Sequence, residues 1–370
     1  MKGIVSALIL GVAVLGGASA ASAQDIVLGG GYALSLSGAT LGDDARAGSD
    51  LSAADFNAQG GLSGRKMRID YDDTQADRAK AVASYRRFAA QPDVLAFLSI
   101  STIELAAIDP IANEAKLPII SVGSAGPLPH FSPWTFRAPL VTARALPAVL
   151  KQMKEIKNTK SVSIIYDTAN NFTVGEFEVM KTAAPAAGFD FKGGETYTTY
   201  DQNYTLQLTR IIATKPDILY VSTIGSDGTL IMSQARALGF TGYFLGGPGL
   251  SDPRIPREAG KAGIGAITFF PFDPKDPRPI VQNFVNAYKA KYKNDPSSYA
   301  ALGYDVVSLV GQAVMKAGKA DRDAVRNELG SKKEFEGVSG MYSYDGSGDN
   351  LLQRPHLFEY TEAGFVPLAK

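Results

Sequence analysis

The chain has no cysteine, only two histidines and a single tryptophan among its 370 residues. Without cysteine there are no disulfides, no thiolate nucleophiles and no cysteine-ligated metals. A lipid anchor of the bacterial lipoprotein kind is excluded as well, because it requires a cysteine at the cleavage site. His130 and His356 lie 226 positions apart, and neither sits in a metal-ligand spacing. Both read as surface or loop residues, and neither a metal nor a cofactor is expected. An excess of charge of either sign is also missing, with 37 basic residues against 37 acidic. There is no polybasic block, so nucleic acid and anionic membrane surfaces are not expected partners. No G-x-S-x-G elbow or P-loop is present, and no hydrolase nucleophile and base stand out.

What is present begins with Lys2, an apolar run from Ile4 to Leu15 and small residues ending in Ala21-Ser22-Ala23. The run of about twelve residues is shorter than the ~20 needed to span a bilayer, and A-x-A is a cleavage signature. Residues 1–23 are therefore expected to be a signal peptide, leaving a protein free in the periplasm of a Gram-negative bacterium. Removing Lys2 with that segment changes the balance only to 36 against 37 over the remaining 347 residues. At 45% hydrophobic content this length exceeds one ordinary core, and two domains are expected.

Short apolar strands alternate with helical stretches from Asp25 onward. Strands are expected at 26–28, 66–71, 94–99 and 118–122, with helices at 44–58, 77–90 and 104–115 between them. After a proline-marked segment the rhythm restarts, with strands at 162–166, 190–196, 218–222 and 243–246. A second break, Phe270-Pro271-Phe272-Asp273-Pro274, precedes helices at 278–292, 298–317 and 321–329 and a β-rich tail with a turn at Tyr344-Asp345-Gly346. The pattern implies an α/β fold of two doubly wound, Rossmann-like lobes.

Gly29-Gly30-Gly31 follows the first strand but does not open a helix with G-x-G-x-x-G spacing, so it is read as a strand irregularity and not as a dinucleotide loop. Asp72-Asp73 does not match a calcium loop; Asp77 reads as a helix cap, and the pair as loop pins. The clusters Ser99-Ile100-Ser101-Thr102 and Ser121-Val122-Gly123-Ser124-Ala125 fall at strand ends. Ligands of open parallel sheets bind there, against helix N-termini. Each cluster alone serves equally well as a cap.

These motifs resemble the branched-chain amino-acid binding proteins, the type I periplasmic solute-binding proteins of ABC transporters. The resemblance rests on Asn57-Ala58-Gln59-Gly60-Gly61-Leu62-Ser63-Gly64-Arg65, Tyr71-Asp72-Asp73-Thr74, Lys116-Leu117-Pro118-Ile119-Ile120-Ser121, Gln234 to Gly239 and Tyr299 to Asp305, and it covers essentially the whole mature chain. It implies a first lobe of 24–139 plus 273–337, a second of 140–272 plus 338–370, and three hinge crossings near 138–141, 272–273 and 337–341. It further implies a small-molecule ligand between the lobes, a membrane permease as partner, a monomer and no enzymatic activity.

The resemblance also implies site residues. A ligand carboxylate would meet Thr102 with Ser101 beside it, and Gly123 and Ala125 in the next loop. Ala125 lacks the hydroxyl usual in the family, which Ser124 would have to supply. The loop that carries a glutamate for the α-ammonium in amino-acid binders reads Gly246-Gly247-Pro248-Gly249 here. Breaking a buried charge pair costs ~3–5 kcal/mol, and Pro248 offers no charge, so an ordinary α-amino acid is disfavoured. Phe172, Thr223, Ile224, Leu41 and Tyr299 complete the expected lining, although Phe172, Ile224 and Leu41 fit core packing as well. The expectation is an aromatic, oxo or short aliphatic acid. Alternatives are a branched-chain or other hydrophobic amino acid, or a sensor that serves a receptor.

Overall fold

The computed structural model describes residues 25–128, 132–199, 201–344 and 346–368. The expected signal peptide, His130 and Asp345 of the expected turn lie outside the described residues. In the first lobe, β1 (Ile26–Tyr32), β2 (Met67–Asp73), β3 (Val94–Ser99), β4 (Ile119–Ser121) and β5 (Thr135–Arg137) form a parallel sheet. Its order is β2-β1-β3-β4-β5, with α1 (Ala39–Ala58), α2 (Arg78–Ala89) and α3 (Thr102–Ala115) as crossovers. β1 and β3 are buried along their whole length. Such continuous apolar runs are what a sheet covered on both faces requires.

The second lobe repeats the plan. After α4 (Thr142–Lys157) come β6 (Ser161–Asp167), α5 (Asn171–Ala186), β7 (Asp190–Tyr197), α6 (Thr205–Ala213), β8 (Ile218–Ser222), α7 (Asp227–Ala237), β9 (Tyr243–Gly246), α8 (Arg254–Glu258) and β10 (Ile267–Phe270). The chain then returns to the first lobe through α9 (Pro279–Tyr292), α10 (Ser298–Ala317), α11 (Arg322–Leu329) and the hairpin of β11 (Phe335–Gly337) and β12 (Gly340–Tyr342). It ends in β13 (His356–Thr361) and β14 (Gly364–Pro367), which extend the second sheet antiparallel to order β14-β13-β10-β9-β8-β6-β7.

Three sequence expectations change. The glycines of β1 are no irregularity: Gly29, Gly30 and Gly31 pair in regular register with β2, and the register shift toward β3 falls at Val27/Leu28. They are glycines because a Cβ would stand within 2.5 Å of Phe88 at Gly29 and of Tyr71 at Gly30, and 2.4 Å from Phe97 at Gly31. A short strand absent from the sequence reading, Thr135–Arg137, closes the first sheet. The third crossing is not at Gly337–Met341, where the chain makes the β11–β12 hairpin. Phe335, Tyr342 and Tyr344 belong to the first lobe's core, so the chain leaves that lobe between Tyr344 and His356.

Asp305 of α10 holds this hairpin, accepting from the N–H groups of Val338 (2.7 Å) and Ser339 (2.9 Å) and from the Tyr342 hydroxyl (2.7 Å). Burial pushes its carboxyl up to about 6. α1 and α10 pack backbone to backbone, since a Cβ on Gly48 would lie 1.8 Å from the Ala300 carbonyl oxygen and one on Gly303 2.1 Å from that of Ala45.

Candidate functional site

Each sheet changes winding direction between its first and third strands, β1 and β3 in one lobe and β6 and β8 in the other. The crevice at the carboxyl ends of strands at such a switch point is where doubly wound sheets hold ligands. The two switch points face one another, and between them lies a cavity of about 260 Å³. One lobe supplies loops after β1, β2, β3 and β4, and the other loops after β6, β7, β8 and β9.

The polar end lies at the start of α3. Ser101 is its N-cap in a capping box: the Glu104 N–H donates to Ser101 Oγ at 3.3 Å, and the Ser101 N–H and hydroxyl both donate to the Glu104 carboxylate, at 3.2 and 2.9 Å. Burial raises the Glu104 carboxyl to about 7. With Glu104 capped, the N–H groups of Thr102 and Ile103 are the helix-start donors that border the cavity. Thr102 Oγ1 accepts from the Ser124 hydroxyl and the Gly126 N–H, both at 3.3 Å. A hydroxyl has two lone pairs and one proton. With both lone pairs engaged, the Thr102 proton is left for an acceptor in the cavity. Gly123 completes this end; a Cβ there would meet the Ile100 carbonyl oxygen at 2.2 Å and the Tyr299 ring at 2.9 Å.

The remaining walls are mostly apolar. Leu41, Phe172, Ile224, Pro248 and Tyr299 surround the space. Asn170 caps α5, its Oδ1 accepting from the Phe172 N–H at 2.9 Å, and Phe172 in that first turn is a buried residue of the cavity wall. Gly249 allows Pro248 its position, because a Cβ at Gly249 would sit 1.6 Å from the Thr223 carbonyl oxygen. Gln75 and Ala76, both left-handed at φ 56°, bring the loop after β2 to the rim. Asp73 pins that loop, accepting from the Leu34 N–H at 2.9 Å, the Ser35 hydroxyl at 2.6 Å and the Gln75 N–H at 3.1 Å.

The structure therefore brings Leu41, Ser101, Thr102, Gly123, Phe172, Ile224, Pro248 and Tyr299 to one cavity. Three expected residues are not on its wall. Ser124 is fully buried and spends its hydroxyl on Thr102, so it does not replace the hydroxyl missing at Ala125. Ala125 is buried, with its carbonyl accepting from the Thr142 N–H at 3.0 Å. Thr223 is buried, and its hydroxyl closes a local turn with Gly225. Conversely, Gln75, Ala76, Asn170, Thr199 and Gly249 line the cavity without having been anticipated.

A further unanticipated residue is Glu176, 1% exposed in α5. Its two carboxylate oxygens accept from the Tyr220 and Ser222 hydroxyls, each at 2.6 Å. Its Oε1 would stand 2.5 Å from a Cβ on Gly247, so the acid lies directly behind the loop that carries Pro248. Burial raises Glu176 to about 7, and the Tyr299 phenol is pushed up to about 12, by burial first and then by Glu176. The signal was legible: Phe172, Glu176 and Met180 recur every fourth residue on the buried face of α5. Among the described residues, no His/Asp/Glu cluster could hold a metal ion.

The family model described as periplasmic binding protein matches residues 25–363. The chain is 26% identical over 348 residues to the Leu/Ile/Val-binding protein BraC3 of Rhizobium johnstonii, covering 90% of each. It is 24% identical over 320 residues to the leucine-, isoleucine-, valine-, threonine- and alanine-binding protein of Pseudomonas aeruginosa, covering 84% of this chain and 83% of that protein. In fold it is similar to the leucine-binding protein LivK of Thermotoga maritima, with TM-score 0.85 and 24% identity over 93% of this chain and 98% of that one. The isoleucine complex of LivJ from Streptococcus pneumoniae has TM-score 0.81 and 23% identity, covering 93% of this chain and 99% of that one.

Proposed function

The chain belongs to the periplasmic binding protein family, and from that premise we propose that it holds a small carboxylate-bearing ligand, other than a standard α-amino acid, between its lobes for delivery to an ABC permease. It is a solute-binding protein and not an enzyme. The observation that carries the ligand reading is the Thr102 hydroxyl. Its lone pairs are filled by Ser124 and Gly126, so it offers a proton to a ligand oxygen beside the free N–H groups at the start of α3. Around this end the wall is apolar, which suits an aromatic, oxo or short aliphatic acid. Pro248 gives an α-ammonium no partner.

One observation favours a second reading, a hydrophobic α-amino acid. Glu176 sits directly behind Gly247, close enough for its charge to act on Tyr299. Titration calorimetry with leucine and with 4-methyl-2-oxopentanoate separates the two, because the pair shares carboxylate and side chain and the oxo acid carries a keto oxygen in place of the α-ammonium. The proposal expects the oxo acid to bind and leucine to bind weakly. Tight binding of leucine with no binding of the oxo acid would replace it with the second reading. Thr102→Ala should weaken binding of the preferred acid by ~1.5–3 kcal/mol, the range for a hydrogen bond to a charged group; unchanged affinity would remove Thr102 from the site.

A further inference from the structure

The ligand cavity continues past its own walls. Leu41, Thr199, Ile224 and Gly249 line both it and a second chamber of about 420 Å³ on the outer side of the cleft. Leu41 and Ile224 come from opposite lobes and form an apolar neck between the two spaces. Ile224 is 40% exposed, although Leu219 and Val221 of the strand just before it are fully buried. A short acid anchored at Thr102 fills only the inner space and meets only the part of this isoleucine that lines it. A chain long enough to pass the neck would cover it.

Beyond the neck the wall turns polar, with Asp227, Asp252, Arg254 and Glu258 from the second lobe and Thr40 from the first. Arg254 is already engaged. Its Nε donates to both Asp252 oxygens, at 2.9 and 3.0 Å, and its Nη1 donates to Thr40 Oγ1 at 2.7 Å across the lobes. Asp227 accepts from the Tyr204 hydroxyl at 2.9 Å, while Glu258 is exposed. Asp44 lies near enough to Asp252 and Arg254 to interact with both. With the arginine matched by Asp252, the chamber remains net negative. A cationic or donor-rich group is favoured there, and a second carboxylate is opposed.

We propose that the cleft is bipartite and takes an elongated acid, with its carboxylate at Thr102, its apolar chain through the Leu41–Ile224 neck and an ammonium end in the outer chamber. This rests on the carboxylate reading given above. Titration calorimetry with hexanoate, octanoate, 8-aminooctanoate and octanedioate, on the full mature protein, tests it. 8-Aminooctanoate should bind about fivefold or more tighter than octanoate and than octanedioate, the scale of one or two partly solvated charge contacts. Glu258→Gln, an exposed change remote from Thr102, should reduce that preference and leave hexanoate unaffected. Binding of hexanoate with no gain for 8-aminooctanoate, or equal binding of the amine and the diacid, overturns the bipartite site but spares the carboxylate reading. Binding of none of the four overturns the bipartite site, and the carboxylate reading is then overturned only if 4-methyl-2-oxopentanoate also fails to bind.

Discussion

Glu176 is held by two hydroxyls in a place water does not reach, and its carboxyl rises from the ordinary 4.5 to about 7 chiefly through desolvation. A folded-state value above the unfolded one means that the native protein binds this proton more tightly. The contribution to stability is therefore fully present below pH about 4.5 and is lost as pH rises to about 7. At 1.36 kcal/mol per unit, it amounts to something on the order of 3 kcal/mol. Glu176→Gln keeps the shape and a carbonyl for Tyr220 while removing the titration. Urea unfolding at pH 5 and pH 8 should show the variant gaining on the parent protein at the higher pH. A difference that stays constant with pH would contradict burial as the cause. At this scale the sequence was only partly readable. Thr102 stood out by its place at a strand end, whereas nothing local separated its role from that of Ser124. Which hydroxyl faces the cavity depends on the 22-residue separation between them being closed in space.

At the scale of elements, α1 and α10 depend on two glycines that let the helices approach to backbone contact. Gly48→Ala gains about 1 kcal/mol of intrinsic helix preference. It also drives a methyl into the Ala300 carbonyl oxygen, 1.8 Å away, in a fully packed seam. Overpacking of this kind costs ~1–3 kcal/mol or more, and here the obstacle is backbone, which cannot rotate aside. The substitution should lower the thermal midpoint, and a midpoint that rose would show that the helices can separate freely. The strands Val94–Ser99, Ile218–Ser222 and Tyr243–Gly246 and the helix Ser298–Ala317 match their sequence expectation end to end, because apolar runs and caps are local signals. The three-residue strand Thr135–Arg137 carries no such signal. It is a strand because β4 lies beside it and because Arg137 is drawn to Asp349, with its Nε donating at 2.7 Å.

Across the whole molecule, the lobes meet on two sides of the cleft. Gly175 of α5 is pressed against Pro127 of the first lobe, and Arg254 reaches Thr40. A ligand can drive closure only through contacts it makes in the closed form, and the Arg254–Thr40 bond biases the same equilibrium without a ligand. Thr40→Val removes the acceptor at nearly constant volume. With Arg254 partly solvated, at 38% side-chain exposure, the loss is about 1 kcal/mol, or roughly a fivefold shift toward the open form. Small-angle scattering of the ligand-free protein should record a larger radius of gyration for the variant. Identical profiles would mean that this contact does not bias closure.

The doubly wound lobes, the strand-end position of the candidate cavity and the family were all determined by the sequence, since each rests on periodicity and short motifs that act over a few residues. Only the tertiary structure decided where the third crossing lies, that Glu176 stands behind Gly247, and that a second chamber opens past Leu41 and Ile224. Those features join segments as far apart as Thr40 and Arg254, 214 positions in the chain. A local pattern states that a side chain is buried or exposed, but its partner across a cleft is set by how two separately packed cores come to rest against each other.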